Sequence, residues 1–314
     1  MMTEIFSENE VSLAAEMLKN GELVAFSTET VYGLGAPLFS PESIQEIFRV
    51  KGRPQDNPLI AHIADLASAE EIATDLPHAF FQLAKAFFPG PLTLVVKRAP
   101  SVPSIVSAGL PTIAIRMPKN ALARKLIFAV GQPLVAPSAN ISGTPSSTSA
   151  QHVLSDFSGK IAGIIDGGSC DYGIESTVLD LVSFSSPTLL RPGVVTKEEL
   201  EGVLGEEVLI YSEGPKASPG MKYRHYAPKA KVVLLHDQSS LKEEESSYIL
   251  STSPLSVPHF PLESASLYAH LRDADEKGYS RVVILIDKEL DRALANRLEK
   301  IVDENHCHQP IRKC

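Results

Sequence analysis

At 314 residues the chain is longer than one hydrophobic core usually holds, so two domains are expected. Apolar residues make up 44% and charged ones 21%, an ordinary globular composition, and the net charge of −9 excludes an obligate duplex-coating role, because affinity for nucleic acid comes mostly from neutralising phosphates. No run of about 18 apolar residues and no basic stretch followed by an apolar one occurs, so a cytoplasmic protein with no membrane association is expected.

Near the start, Ser7-x-x-Glu10 has the pattern of a capping box, and Val11, Leu13, Ala14, Met17 and Leu18 form a helical stripe that stops at Asn20-Gly21. A strand at 23–26 then runs into Ser27-Thr28-Glu29-Thr30-Val31-Tyr32-Gly33-Leu34-Gly35, a polar turn ending in two glycines, where backbone can approach a ligand closely. Position 38 is Leu, so the dinucleotide fingerprint is incomplete, and no Walker-type phosphate loop occurs.

Residues 41–50 read as an amphipathic helix, with Ile44, Ile47 and Phe48 at i, i+3 and i+4. It delivers Lys51-Gly52-Arg53-Pro54-Gln55-Asp56-Asn57-Pro58, where the two prolines bias their predecessors towards extended geometry and stiffen the loop before a strand at 59–63. A stiff loop presenting an ammonium and a planar guanidinium suits a phosphate chain. The alternative is that Arg49, Lys51 and Arg53 only complement the negative end of the helix dipole, with Gly52 as cap.

Helices are expected at 77–88 and 120–130, with Phe80, Leu83, Ala84, Phe87 and Phe88 as a core stripe, and strands at 92–97 and 112–116. A strand beginning at Pro133 breaks into Ser138-Ala139-Asn140-Ile141-Ser142-Gly143, which on its own fits a solvated turn equally well. Further strands are expected at 161–165, 176–181, 188–191 and 208–211, with a short helix capped by Thr196-x-x-Glu199. Residues 212–228 hold three prolines and two glycines and no apolar periodicity, the composition of a linker. Beyond it, strands at 231–235, 247–250 and 281–286 alternate with helices at 264–277 and 290–302, a small βαβ-type unit with a parallel sheet. The cysteines, Cys170, Cys307 and Cys314, are too few for a disulfide framework. His306, Cys307, His308 and Cys314 look superficially metal-like, but at the extreme end of the chain fraying accounts for them.

Five phrases stand together: Thr28-Glu29-Thr30-Val31-Tyr32-Gly33-Leu34; Lys51-Gly52-Arg53-Pro54 with Asn57-Pro58-Leu59; Ser138-Ala139-Asn140-x-Ser142-Gly143; Arg191-Pro192-Gly193; and Ser218-Pro219-Gly220-Met221-Lys222-x-Arg224-His225-Tyr226-Ala227-Pro228. In combination the chain resembles the YrdC-like threonylcarbamoyl-AMP synthases, in the long form with an added carboxyl-terminal domain. The resemblance implies an α/β fold: an open, twisted mixed sheet with helices and a basic concave face over residues 1–211, a linker or lid at 212–229, and a small Rossmann-like βα domain at 230–314. It implies ligation of L-threonine, bicarbonate and ATP to threonylcarbamoyl-AMP and pyrophosphate, the first step of threonylcarbamoyladenosine formation in tRNA. Lys51 and Arg53 would be catalytic. Lys51, Arg53, Asn57, Thr112, Ser138, Asn140, Ser146, Arg191, His225 and Tyr226 would hold ATP. Thr30, Tyr32, His62, Arg116, Ala136 and Ser176 would hold threonine. Mg2+ would ride mainly on the ATP phosphates, with no side-chain metal ligand. Partners would be downstream tRNA-modifying proteins that receive the adenylate, with weak or no direct tRNA binding. Ser27 stands where this family is expected to carry Pro. Three other readings compete: a carbamoyl-transfer enzyme of the same fold, whose zinc-finger cysteines are missing here, a double-stranded RNA binding module, which the net charge opposes, and a regulator that retains the fold without catalysis.

Overall fold

The computed structural model describes residues 2–211, 225–241 and 247–302. Chain packing divides these into two compact units, the first holding 2–142 and 147–211, the second 143–146 with 225–241 and 247–302. Most of the expected linker, 212–224, and the His306, Cys307, His308 and Cys314 group lie outside the described residues.

In chain order the first unit contains β1 (Glu4–Phe6), α1 (Val11–Lys19), β2 (Val24–Phe26), β3 (Gly33–Pro37), α2 (Pro41–Lys51), β4 (Ile60–His62), α3 (Ala67–Ile72), α4 (His78–Phe87) and β5 (Leu92–Lys97). It continues with β6 (Thr112–Arg116), α5 (Ala121–Val130), β7 (Leu134–Val135), α6 (Ala150–Phe157), β8 (Gly163–Ile165), β9 (Thr177–Asp180), β10 (Thr188–Arg191), α7 (Lys197–Leu204) and β11 (Leu209–Ile210). The eleven strands form one mixed sheet in the order β1-β8-β2-β3-β7-β4-β6-β5-β9-β10-β11. The local signals act as read: Ser7 with Glu10 and Thr196 with Glu199 form reciprocal capping boxes, and Asn120 caps α5 through the N–H groups of Leu122 and Ala123.

Alternation along the strands separates the two faces of this sheet. Ala61, Leu92, Leu94, Val96, Ile113, Ile115, Val135 and Leu179 join the main core, packed under α2, α4, α6 and α7. On the other face, α1 and α5 cover only one end, where Val24, Phe26, Leu134 and Ala136 meet Ala14, Leu18, Leu126 and Ile127. Over β4, β6, β5, β9 and β10 that same face carries a small apolar cluster, Ile60, Val95, Ala114, Val178 and Leu190, to which no described helix contributes. The functional residues include neighbours of this buried floor on the same strands: His62, Thr93, Arg116 and Arg191.

The Gly33-x-Gly35 stretch, expected as a turn, is strand β3. A Cβ at Gly35 would sit 2.9 Å from the Phe26 ring and one at Gly33 3.0 Å from the Ala136 Cβ. The glycines therefore let β3 lie tight against its neighbours, a packing requirement that imitates a turn signal. Gly193 has a similar role. A Cβ there would meet the Thr177 backbone N at 2.4 Å and the Ser176 carbonyl carbon at 2.7 Å, so the Arg191-Pro192-Gly193 turn closes directly on the start of β9.

The second unit contains β12 (Lys231–Leu235), β13 (Ser247–Ser251), β14 (Phe260–Pro261), α8 (Leu267–Glu276), β15 (Arg281–Leu285) and α9 (Arg292–Ile301). Its four strands run in the order β12-β15-β13-β14, all pairs parallel. Leu267, Tyr268 and Leu271 of α8, Leu294 and Leu298 of α9, and Val282 and Ile284 of β15 are buried in its core. Tyr226 belongs to this unit. Its ring lies 5.2 Å from that of Tyr268 and 5.5 Å from that of His225, with the Arg297 guanidinium 5.9 Å from its centroid.

Candidate active site

Helix α2 ends at Gly52, which adopts a left-handed conformation (φ 60°) and returns its N–H to the helix. The three cations here then part company. Arg49 is exposed and paired with Glu46 one turn earlier, so the helix-end reading holds for it. Lys51 is 2% exposed, and its Nζ donates to the carbonyl oxygens of Ser138 at 2.6 Å and Asn140 at 2.5 Å. The Lys51 carbonyl in turn accepts from Ser142 N–H at 2.9 Å. Two phrases 87 residues apart thus form one structure, with a buried ammonium at its centre.

Arg53 folds over its own loop, Nη2 donating to the carbonyls of Pro58 (3.0 Å) and Asn57 (3.3 Å). Asn57 is 1% exposed, and its Nδ2 has no hydrogen-bond partner among the described residues. Burying an amide donor without an acceptor costs about 1–3 kcal/mol, so an orphan of this kind beside two cations fits a site completed by a ligand oxygen.

The parallel pairing of β4 with β6 sets His62 beside Arg116 and Ile60 beside Ala114. Arg116 is held on three sides: Nη2 donates to Glu29 Oε1 at 2.7 Å, Nη1 to Thr30 Oγ1 at 2.8 Å, and Nε to the Gly90 carbonyl at 3.2 Å. Glu29 and Arg116 form a buried ion pair, their side chains 2% and 5% exposed. Burial pushes the Glu29 carboxyl up, but the charge and hydrogen bonds of Arg116 outweigh that and leave it below its usual range. Glu29 is therefore a counter-ion, not a proton acceptor. Burial, with the Arg116 cation beside it, pushes His62 down to about 3, so the imidazole is neutral at pH 7.

A titration behaviour follows from His62. An unfolded chain takes up the proton near pH 6.5 and the folded one only near 3, so stability falls as pH drops through 6.5 and the loss ends near 3. Between pH 7 and 5 this group alone is expected to cost about 2 kcal/mol. Denaturant unfolding of the wild type and of His62→Gln at the two pH values checks this. The variant should lose less stability than the wild type, and equal losses would show that His62 titrates normally.

A second polar chain crosses the floor: Thr93 Oγ1 lies 2.8 Å from Ser176 Oγ, which accepts from Arg191 Nη2 at 3.1 Å, while Arg191 Nε donates to the Ser176 carbonyl at 3.0 Å. Residues expected on the threonine and nucleotide sides, Ser176 and Arg191, are thus in direct contact. Thr112 and Arg116 share one face of β6 but stand at its two ends, about 13 Å apart at strand spacing. Ala136 is buried and donates its N–H to the Ile60 carbonyl at 3.1 Å. Tyr32 turns its hydroxyl to another loop, donating to the Gly168 carbonyl at 2.8 Å and accepting from Gly167 N–H at 3.2 Å, and burial raises its ionisation above the usual phenol range. Ser146, His225 and Tyr226 belong to the second unit.

No signal in the sequence marks Glu29, Thr93 or the apolar floor as functional. Ser27, 2% exposed, packs against Gly167, where a Cβ would stand 1.9 Å from its Oγ, and accepts weakly from Asn120 Nδ2 at 3.4 Å. The serine is accommodated there without disturbing a charged group.

Buried Lys51 at the end of α2, Arg116 on β6 with Glu29 as its counter-ion, and Arg191 on β10 among hydroxyls make an α/β domain suited to managing anions. The family model described as "Telomere recombination" (Sua5/YciO/YrdC) matches residues 16–193, and one described as "Threonylcarbamoyl-AMP synthase, C-terminal domain" matches 195–301. The chain belongs to the Sua5/YrdC family, in its two-domain form. It is 49% identical over 237 residues to a threonylcarbamoyl-AMP synthase of Pyrococcus abyssi, covering 74% of this chain and 69% of the relative. Against that of Schizosaccharomyces pombe it is 36% identical, covering 91% and 86%. The crystal structure of P. abyssi Sua5 complexed with L-threonine superposes with a TM-score of 0.87 at 39% identity, covering 96% of this chain and 97% of that one.

Proposed function

We infer that the chain is a threonylcarbamoyl-AMP synthase, a nucleotidyltransferase that converts L-threonine, bicarbonate and ATP to threonylcarbamoyl-AMP and pyrophosphate. The observation that carries this reading is the buried Lys51 ammonium between the Ser138 and Asn140 carbonyls, with Arg53 and the Asn57 amide on the loop that follows it.

The chemistry needs two anions to meet. Threonine's amine adds to bicarbonate with loss of water, forming an N–C bond and a carbamate anion. A carbamate oxygen then attacks the α-phosphorus of ATP, and the bond to the β-bridging oxygen breaks as pyrophosphate leaves. Lys51, Arg53 and Arg191 screen this encounter and stabilise charge at the pentavalent centre and on the leaving group. Neutral His62 and the ionised Glu29–Arg116 pair are suited to holding threonine in place and not to moving protons, so positioning supplies much of the rate. We place Thr30, His62, Arg116, Ala136 and Ser176 on the threonine side, and Asn57, Thr112, Ser138, Asn140, Ser146, Arg191, His225 and Tyr226 on the nucleotide side, with Tyr32 supporting the threonine side through the 166–168 loop.

ATP enters as its magnesium complex. The metal would be carried mainly by the phosphates and water. No described helix is long and apolar enough to cross a membrane. A cytoplasmic enzyme that passes its adenylate to tRNA-modifying proteins is the setting we propose, with little direct tRNA affinity given the net charge of −9.

The test is isotopic. Purified protein given MgATP, L-threonine and 13C-bicarbonate should form an adenylate whose mass contains the labelled carbon. An adenylate without the label would mean direct activation of the amino-acid carboxylate and would end this reading.

A further inference from the structure

Strand β9 of the first unit carries a buried carboxylate with no part in the carbamate and phosphoryl steps. Val178 belongs to the apolar floor and Leu179 to the main core, so Asp180, two residues beyond Val178, stands on the floor side of the sheet. The register sets it beside Val95 of β5 and Thr188 of β10. Val95 lies opposite Ala114 and Ala114 opposite Ile60, so one level of the sheet holds three apolar side chains flush with Asp180. The next level, a step of about 7 Å along the strands, pairs His62 with Arg116, Thr93 with Val178, and Val178 with Arg191. Asp180 is fully buried. Its Oδ1 accepts from the N–H groups of Val182 at 2.9 Å and Ser183 at 2.8 Å, the turn that ends β9, while the buried Oδ2 has no hydrogen-bond partner among the described residues. The nearest polar neighbours are engaged elsewhere: Thr188 donates its hydroxyl to the Ser186 carbonyl, and Lys97 of β5 reaches out to Asp75. A buried carboxylate oxygen without a donor is unfavourable, and the turn needs only Oδ1.

We propose that Asp180 is a nucleotide-binding residue whose Oδ2 accepts a hydrogen bond from a ribose hydroxyl of ATP. This rests on the assignment of Thr112 and Arg191, on the same sheet, to the nucleotide side. Ionised phosphate oxygens offer no donor and are repelled by a carboxylate, so they belong at the level of Arg191 and not at that of Asp180. The apolar strip beside Asp180 suits the uncharged part of the nucleotide. A carboxylate that accepts from ribose is a recurring device of nucleotide-binding α/β folds, and the ribose hangs one ester link from the α-phosphate, the distance of a single level of the sheet.

The experiment compares the full chain with Asp180→Asn, which keeps an oxygen for the turn and puts an amide NH2 where Oδ2 stood. The magnesium complexes of ATP, its 2′-deoxy and 3′-deoxy forms, and inosine triphosphate are titrated by calorimetry without threonine. The wild type should bind ATP about tenfold more tightly than one of the deoxy nucleotides, the worth of one hydrogen bond to a charged group. Asp180→Asn should erase that preference, losing about tenfold for ATP and for inosine triphosphate and less than twofold for that deoxy nucleotide. Equal wild-type affinity for ATP and both deoxy forms, or a variant loss shared by all four nucleotides, would overturn the proposal and leave Asp180 a turn residue. A variant loss that spares only inosine triphosphate would put the adenine amine at Oδ2 and overturn it as well. If Asp180→Asn fails to fold, Asp180→Ser, whose hydroxyl can still accept from the turn, replaces it in the same comparison. Calorimetry needs no turnover, so a wild type that binds MgATP without threonine-dependent synthesis would refute the function while this contrast still judged Asp180.

Discussion

Replacing Lys51 by Met is expected to cut threonine-dependent pyrophosphate release by about a thousandfold. Removing one preorganised donor from an anionic transition state costs about 100- to 1000-fold, and Lys51 also holds the Ser138 and Asn140 carbonyls in register. Met fills the stem's volume but leaves two buried carbonyls without their ammonium. Lys51→Arg should not rescue the rate, because a planar guanidinium is too wide for a slot where the side chain is 2% exposed. Single-turnover rates on protein with a wild-type circular dichroism spectrum measure this. A Met variant within tenfold of wild type would remove Lys51 from the chemistry.

The second large effect belongs to Glu29. Glu29→Ala leaves the Arg116 guanidinium buried without its counter-ion, and breaking such a pair costs about 3–5 kcal/mol. The double variant Glu29→Ala with Arg116→Met should recover much of that stability, since the orphaned charge is gone, while losing threonine affinity altogether. Denaturant midpoints for the two single variants and the double variant separate the terms. A loss below about 1 kcal/mol for Glu29→Ala would show that water or a rearranged Arg116 replaces the carboxylate.

How much of this was legible beforehand depended on whether a feature is local. Helix α2 with its Gly52 cap, both capping boxes, and strands β5, β6 and β12 follow from periodicity and end signals and stand where expected, to within a residue. Strand β3 was hidden because its glycines serve tight packing against Phe26 and Ala136 and read as a turn. Short β1 and β14, three and two residues long, carry too few positions for alternation to register. The site phrases could be read as chemistry, but the partnership of Lys51 with Ser138 and Asn140 could not, because it depends on main-chain carbonyls brought together by the sheet. Glu29 escaped notice for the same reason. A carboxylate in a polar turn is unremarkable until the β4–β6 pairing and the path of β2 bring Arg116 to it. Tyr226, which the resemblance places over the nucleotide and whose other reading is an anchor for the second domain, has its ring against His225 and Tyr268 within the second unit.

The decisive property of this chain is the joining of a carbamate made from threonine to the α-phosphate of ATP, read by following pyrophosphate release from MgATP while threonine and bicarbonate are omitted in turn and threonine is exchanged for serine. Release should require both substrates, and serine should be weaker by about 10- to 200-fold, the worth of one methyl in a fitted pocket. Equal pyrophosphate release without threonine, or without bicarbonate, would contradict the account.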